Sequence, residues 1–393
     1  MLFLDTRLGD QQVDVRIDHG RIARIAPAGT LTDAGDEEVV RGGWLTPHMA
    51  EPHVHLDAAL LGARRPNRSG TLREGIANWA VLREELTAAD LRNRARTTAR
   101  MYAATGTTRI RTHVDTGSLL AVGTLVDLRE ELAAEGITLQ VVAFPQEGIL
   151  RAPGRRQQWE EATALGVDAV GGIPHFERTT EEGWETVRMA FQLAETQGCQ
   201  VDFHCDESDD PHSRNLEVVA AQTIDRGFGG RVVAGHCTAL HSYNHPYAEK
   251  VMELVATAGI QVVANPLDNV VLQGRYDRYP RRRGITRVDE LWRFGATVGI
   301  GHDSVQDPWY RLGTARMLDA AYMLVHVAQL TSEEAMERAV ATLWTENHLP
   351  FGAIPVLEEG APAEMLWWPV ASAAELLIHR PDPVVHASTP GQG

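Results

Sequence analysis

The chain has 393 residues, 44% of them hydrophobic and 23% charged, enough apolar material to fill one large barrel core or two to three average domains. Its formal net charge of −16 argues against wrapping nucleic acid and against anionic membrane surfaces, and leaves a small neutral molecule as the better-matched partner. Three cysteines without CxxC spacing, a start lacking a basic segment followed by an apolar one, and no long uncharged apolar run point to a reducing cytoplasm and away from secretion or membrane insertion.

The first segment, Leu2 to Val40, reads as short strands: Val13, Val15 and Ile17 alternate with polar residues, and Gly20 turns the chain into Ile22–Ile25. From Trp44 the pattern changes to apolar runs alternating with amphipathic helices, which predicts βα units and a parallel sheet. The expected strands are Trp44–Leu56, Arg109–Val114, Leu139–Pro145, Ala169–His175, Val201–Cys205, Arg231–Cys237, Gln261–Asn265 and Thr297–His302. Helical patterns fall between most of them, at Leu119–Ala134, Gln157–Leu165, Glu181–Gln197, Asn215–Arg226, Tyr247–Ala258 and Val288–Phe294. A further helical pair, Leu72–Leu86 and Ala89–Ala104, separates strands one and two. Near the end, GAPAEMLWWP reads as a turn feeding a strand, ELLIHRPDPVVHA as two more strands, and STPGQG as a disordered tail. The pattern predicts an α/β fold: a (β/α)8 TIM-type barrel over 44–348, with a small β-sandwich domain built from both chain ends, 1–43 and 349–393.

Polar residues of catalytic type fall where these strands end. Strand one ends in His53-Val54-His55, strand two in His113-Val114-Asp115, strand three in Gln146-Glu147 and strand four in His175. Strand five ends in His204-Cys205-Asp206-Glu207, strand six in His236 and strand eight in His302-Asp303-Ser304. The C-terminal face of such a barrel carries the active site, while its interior otherwise takes Val, Ile and Leu. His53 and His55 are two apart on a strand, so their side chains share one side. Joined by His204 and Asp303 from other strands, they make a set of three nitrogens and one oxygen that suits one divalent ion, Zn²⁺ or Fe²⁺, with a position left for water. Glu207, three residues after His204, is placed to transfer protons beside that ion.

Blander roles suit the other polar residues. Asp206, Asp209 and Asp210 read as solvated carboxylates, and His302 as a hydrogen-bonded core histidine pointing away from Asp303. Cys205 and Cys237 read as small core residues, and His212, His241 and His245 as loop residues without a role. His113 and His175 fit either a pocket floor or a satisfied core.

The segments EPHVHLD, VAFPQEG, HCDESDD, GHCTALHSYN, NPLDNVVLQGRYDRYPRRRGITRV and GHDSVQDPWYRLGTARML resemble the amidohydrolase superfamily, and within it the bacterial cytosine deaminases. The likeness covers roughly Trp44 to Leu330. It implies a mononuclear metal centre held by His53, His55, His204 and Asp303. It implies that Glu207 carries a proton to a ring nitrogen and that His236 orients the attacking hydroxide. It implies further that Asp303 takes the proton of the attacking water and passes it on. Gln146 then matches the family's reader of the pyrimidine amide edge, Trp309 a wall of the pocket, and the loop around Leu72 a backbone contact. Binuclear relatives bridge two metals with a modified lysine at the end of strand four. Here that place holds Pro174-His175-Phe176, and the sole lysine is Lys250, so a lysine-bridged pair of metals is not expected.

One departure bears on substrate. Where the family's metal Asp is followed by a second Asp facing the substrate, this chain has Ser304, shorter and uncharged. That suggests room for a group near ring position C5, hence 5-methylcytosine ahead of cytosine. The expected activity is hydrolytic deamination of such a free base to uracil or thymine plus ammonia by a cytoplasmic homo-oligomer. The alternatives are deamination of another amino-substituted ring (isoguanine, creatinine or an aminotriazine) or, from a different class, a non-catalytic metal-binding scaffold.

Overall fold

The computed structural model describes residues 1–33, 35 and 37–386; the STPGQG tail lies outside the described residues. The N-terminal strands are β1 (Leu2–Leu8), β2 (Gln11–Asp18), β3 (Arg21–Pro27), β4 (Val39–Arg41) and β5 (Trp44–Pro47). The barrel strands are β6 (Met49–Val54), β7 (Thr107–Asp115), β8 (Thr138–Phe144), β9 (Ala169–Gly172), β10 (Gln200–Cys205), β11 (Val232–His236), β12 (Gln261–Ala264) and β13 (Thr297–Ile300). The chain closes with β14 (Met365–Trp368) and β15 (Val384–His386).

The eight strands β6 to β13 lie side by side in chain order, every pair parallel. The ring closes between its first and last strands, where the Asp303 N–H donates to the His53 carbonyl at 2.9 Å and the His55 N–H to the Asp303 carbonyl at 3.2 Å. The strands are short and buried along nearly their whole length, as in VVAGH of β11 and QVVA of β12, because helices cover the outer face.

The helices between the strands are α1 (Leu72–Arg83), α2 (Ala88–Ala104), α3 (Leu119–Ala133), α4 (Arg155–Thr163), α5 (Thr180–Gln197), α6 (Asn215–Asp225), α7 (His245–Ala258), α8 (Pro266–Leu272) and α9 (Val288–Arg293), of which α1 and α8 lie at the cavity end. After the barrel come α10 (Met317–Val327), α11 (Glu333–Ala341) and α12 (Ala373–His379). Local chemistry sets their ends. Thr179 caps α5 by accepting from the Glu182 N–H, Glu181 and Glu182 sit in its positive first turn, and Gly198 at φ 70° stops it.

The two chain ends meet in one seven-stranded mixed sheet, ordered β15-β14-β5-β1-β2-β3 with β4 also on β1. Its apolar cluster is Phe3, Val13, Val15, Ile22, Leu45, Ala363 and Met365. The expected strand Trp44–Leu56 is two strands: Trp44–Pro47 pairs with β1 and β14, and Met49–Val54 enters the barrel. The stretch ELLIHRPDPVVHA is not two strands. Its first half belongs to α12, where Ser372 accepts from the Glu375 N–H and starts a helix, and only Val384–His386 is extended. The helices α8, α10 and α11 lie outside the helical segments expected from the sequence. Among the described residues no helix is long and apolar enough to cross a membrane.

Candidate active site

Four strand ends bring the expected ligands together. His53 lies in β6 with His55 just beyond it, His204 in β10, and Asp303 follows β13. The His204 Nε2 is 3.2 Å from His53 Nε2 and 3.0 Å from His55 Nε2, and Asp303 Oδ1 is 3.7 and 3.5 Å from the same two atoms. Ligands bound at ~2.1 Å and tetrahedral angles stand about 3.4 Å apart, so these separations suit groups surrounding one ion. Burial, and then the neighbouring imidazoles, hold His53 and His204 well below the usual histidine range and His55 down to about 3. The rings are therefore neutral, with lone pairs free to bind a metal.

Carboxyl groups crowd the same place: Glu207, Asp268, Asp303 and Asp307 are all buried. Burial pushes Glu207 up to about 8 and Asp307 to about 7, and raises Asp303 and Asp268 well above the carboxylate range. Asp303 and Asp268 are raised further by each other or by their acidic neighbours. Such a cluster lacks positive charge, and a divalent cation supplies it. The donor set therefore fits a single Zn²⁺- or Fe²⁺-type ion.

The surroundings fix these groups. The His53 ring fills a seat between two glycines: a Cβ on Gly235 would meet its Cε1 at 2.8 Å, and one on Gly301 its Cβ at 2.9 Å. Beneath it, the Glu51 carboxylate accepts from the His53 N–H at 2.8 Å, the His302 N–H at 3.0 Å and the Tyr102 hydroxyl at 3.0 Å. It thereby ties the first barrel strand to the last. His236 Nδ1 receives the Asn269 amide at 3.0 Å and lies 3.7 Å from Glu207 Oε1 and 3.9 Å from Asp303 Oδ2. His236 and Asp303 have φ of 66° and 70°, uncommon for residues with side chains, so the backbone turns sharply where each enters the site.

An inner cavity of about 20 Å³ is lined by His55, Leu72, Gln146, His204, Glu207, His236, Asp268, Leu272, Asp303, Ser304 and Trp309. It shares Leu72, Glu207 and Leu272 with an outer cavity of about 410 Å³. Leu72 opens α1, whose first-turn N–H groups lack intrahelical partners. Trp309 packs 5.6 Å from His55 and fits only because Gly75 has no side chain: a Cβ there would meet the indole at 2.3 Å. Its backbone N–H and that of Tyr310 both donate to Asp307 Oδ1 at 2.9 Å. Gln146 and Glu207 are both buried and line this inner cavity, where Glu207 has His236 Nδ1 at 3.7 Å as its one basic neighbour within 4 Å among the described residues.

Other strand-end residues lie outside the expected ligand set. His113 lies below the ligand set, 3.0 Å from Asp202, which also pairs with buried Arg111 at 3.0 Å. His302 bonds Thr314, and His175 lines the outer cavity. Asp206 caps the start of α6 by accepting from the Asn215 and Leu216 N–H groups, and so is buried and not solvated as expected. Asp209 pairs with His241 at 3.2 Å, so that loop histidine has a structural partner. Asp115 accepts from Trp79 and Arg83 of α1, and Arg83 also reaches Glu147. Lys250 pairs with Glu217, away from the site. The sequence reading missed Asp268, Leu272, Asn269 and Glu51. All but Glu51 sit on α8, beyond a strand end, where neither strand spacing nor a histidine marked them.

A model of the amidohydrolase family matches residues 67–364, a span that includes His204, Glu207, His236 and Asp303. The chain belongs to the amidohydrolase family and is a metal-dependent hydrolase acting on C–N bonds. The 5-methylcytosine deaminase from Klebsiella pneumoniae, solved with 5-fluorocytosine, superposes with a TM-score of 0.93 at 36% identity, covering 100% of this chain and 98% of that one. The N-isopropylammelide isopropylaminohydrolase from Burkholderia multivorans superposes with a TM-score of 0.81 at 26% identity, covering 99% and 96%. A pterin deaminase from Rhizobium rhizogenes is 28% identical over 382 residues, 94% of this chain and 85% of its own.

Proposed function

We propose that this chain hydrolytically deaminates a cytosine-type free base, 5-methylcytosine ahead of cytosine, releasing ammonia and the corresponding oxo base. The observation that carries the reading is the convergence of the Gln146 amide and the Glu207 carboxyl on one small cavity with His55, His204, His236 and Asp303. The 36% identity to a 5-methylcytosine deaminase over the whole chain supports it.

His53, His55, His204 and Asp303 would hold a divalent ion, which would supply the Lewis acidity that makes water a nucleophile at neutral pH. The residues do the rest. Gln146 offers a donor and an acceptor to the ring's amide edge. Glu207, protonated at neutral pH by its burial, gives its proton to the ring nitrogen beside the attacked carbon. Asp303 accepts one proton of the attacking water and delivers it to the amine, which leaves as ammonia, while the remaining hydroxyl proton returns to Glu207 as the carbon becomes a carbonyl. His236, held by Asn269, orients the incoming oxygen. The inner cavity has about the volume of one water and adjoins, through Leu72, Glu207 and Leu272, the outer cavity of about 410 Å³.

A two-ring amino heterocycle is the second reading, favoured by the outer cavity and by the pterin deaminase relative. The test is kcat/KM for ammonia release from 5-methylcytosine, cytosine, isoguanine, creatinine and pterin by metal-loaded enzyme. 5-Methylcytosine is expected to lead. A preference for pterin would replace the pyrimidine reading, and turnover of none of them would overturn both.

A further inference from the structure

Asp268 is a buried carboxylate that neither strand-end position nor the resemblance singles out, yet it faces the inner cavity. It lies on α8, three residues past Asn265, where the chain turns from β12. Its Oδ2 accepts the Ser304 hydroxyl at 2.6 Å. Its Oδ1 is buried and has no partner among the described residues. The space left by the short Ser304 is therefore taken in part by a carboxylate reaching in from the neighbouring element, with one oxygen anchored and the other free. Its acidic neighbours include Glu207 and Asp307, and Asp268 stands foremost among the charges acting on Asp303.

Resting on the deaminase reading above, we infer that Asp268 is a substrate-binding residue whose free Oδ1 accepts an N–H of the exocyclic amine that is to leave. The chemistry of the edge gives the direction. Glu207 serves the ring nitrogen and Asp303 the leaving nitrogen, and the amine is bonded to the carbon between those two sites. An acceptor beside both residues meets an amine N–H, a group that the oxo product lacks. Asp268 thus favours the amino form of the base over its keto product, and Ser304 is its positioning residue.

The test compares ligands that differ only at this edge. Metal-loaded Glu207→Gln protein, which turns over too slowly to interfere, is titrated calorimetrically with 5-methylcytosine and with thymine, alone and combined with Asp268→Asn or Ser304→Ala. Asp268→Asn should weaken the amino base about 10- to 100-fold while leaving thymine unchanged or tighter, since an amide can donate to its carbonyl. Ser304→Ala should weaken the amino base selectively but less. If both ligands weaken equally, or neither changes, the inference is overturned. Metal content is measured on every protein, and should Asp268→Asn lose metal, the Ser304→Ala comparison decides. If the Glu207→Gln parent binds neither pyrimidine, the pyrimidine reading fails separately. The same comparison then passes to pterin and its deaminated dione, where loss of selectivity for the amino form still tests Asp268.

Discussion

On the proposed mechanism two demands meet at Glu207: a carboxyl must stay protonated at neutral pH, and it must lie beside the metal without binding it. Burial meets the first, and its position three residues after His204 meets the second. Glu207→Gln should therefore keep its metal by elemental analysis and lose about 10²- to 10⁴-fold in kcat; full turnover would remove it from proton transfer. Gly235 makes the opposite kind of test. Gly235→Ala places a methyl 2.8 Å from the His53 ring, so metal content should fall although no ligand has changed, and normal metal would show that the seat yields. At this scale the sequence was readable where chemistry coincides with strand ends, as for His53, His55, His204, His236 and Asp303. It was opaque at Asp268, whose role depends on a hydrogen bond to a residue 36 positions away.

Between elements, the recurring device is a buried carboxylate that collects backbone donors from two places. Glu51 does this where the barrel closes, and a glutamate inside a strand carries no sequence signal of such a task. Glu51→Leu leaves the His53 and His302 N–H groups and the Tyr102 hydroxyl without their acceptor. At ~1–3 kcal/mol for each unsatisfied group the loss is about 3 kcal/mol or more, read as a lower midpoint in denaturant unfolding. An unchanged midpoint would mean water replaces the carboxylate. The barrel strands were legible because each is a short apolar run followed by a polar residue that the interior would reject. The Trp44–Leu56 run misled because a single residue, His48, separates its two strands, and only pairing partners reveal the break. In α12 the Ser372-to-Glu375 capping pattern was present in the sequence and outweighs the apolar run that follows it.

Over the whole molecule, barrel and end sheet meet at that join, and His348 sits on it. Its Nε2 donates to the His48 carbonyl at 2.8 Å, and burial, with Arg109 and His48 nearby, lowers its pKa to about 4. The unfolded chain binds this proton near pH 6.5, before the folded one does, so its contribution to stability is present above that pH and is lost as pH falls toward 4. The unfolding midpoint should decline over this window, with a shallower slope in His348→Gln, measured by thermal scans at fixed ionic strength. Equal slopes would place the acid sensitivity elsewhere. The fold as a whole brings residues from 53 to 303 together around a buried cavity rich in carboxyl groups, and on the proposed reading a metal and an amino-bearing ring complete it.

The most direct test of that account is the stoichiometry of 5-methylcytosine conversion by protein loaded with Zn²⁺ or Fe²⁺, with chelated protein as the control. The account predicts one ammonia and one thymine per base consumed, with activity lost on chelation and restored by metal. Conversion that persists without metal, or a metal-loaded protein that binds the base and releases no ammonia, would contradict it.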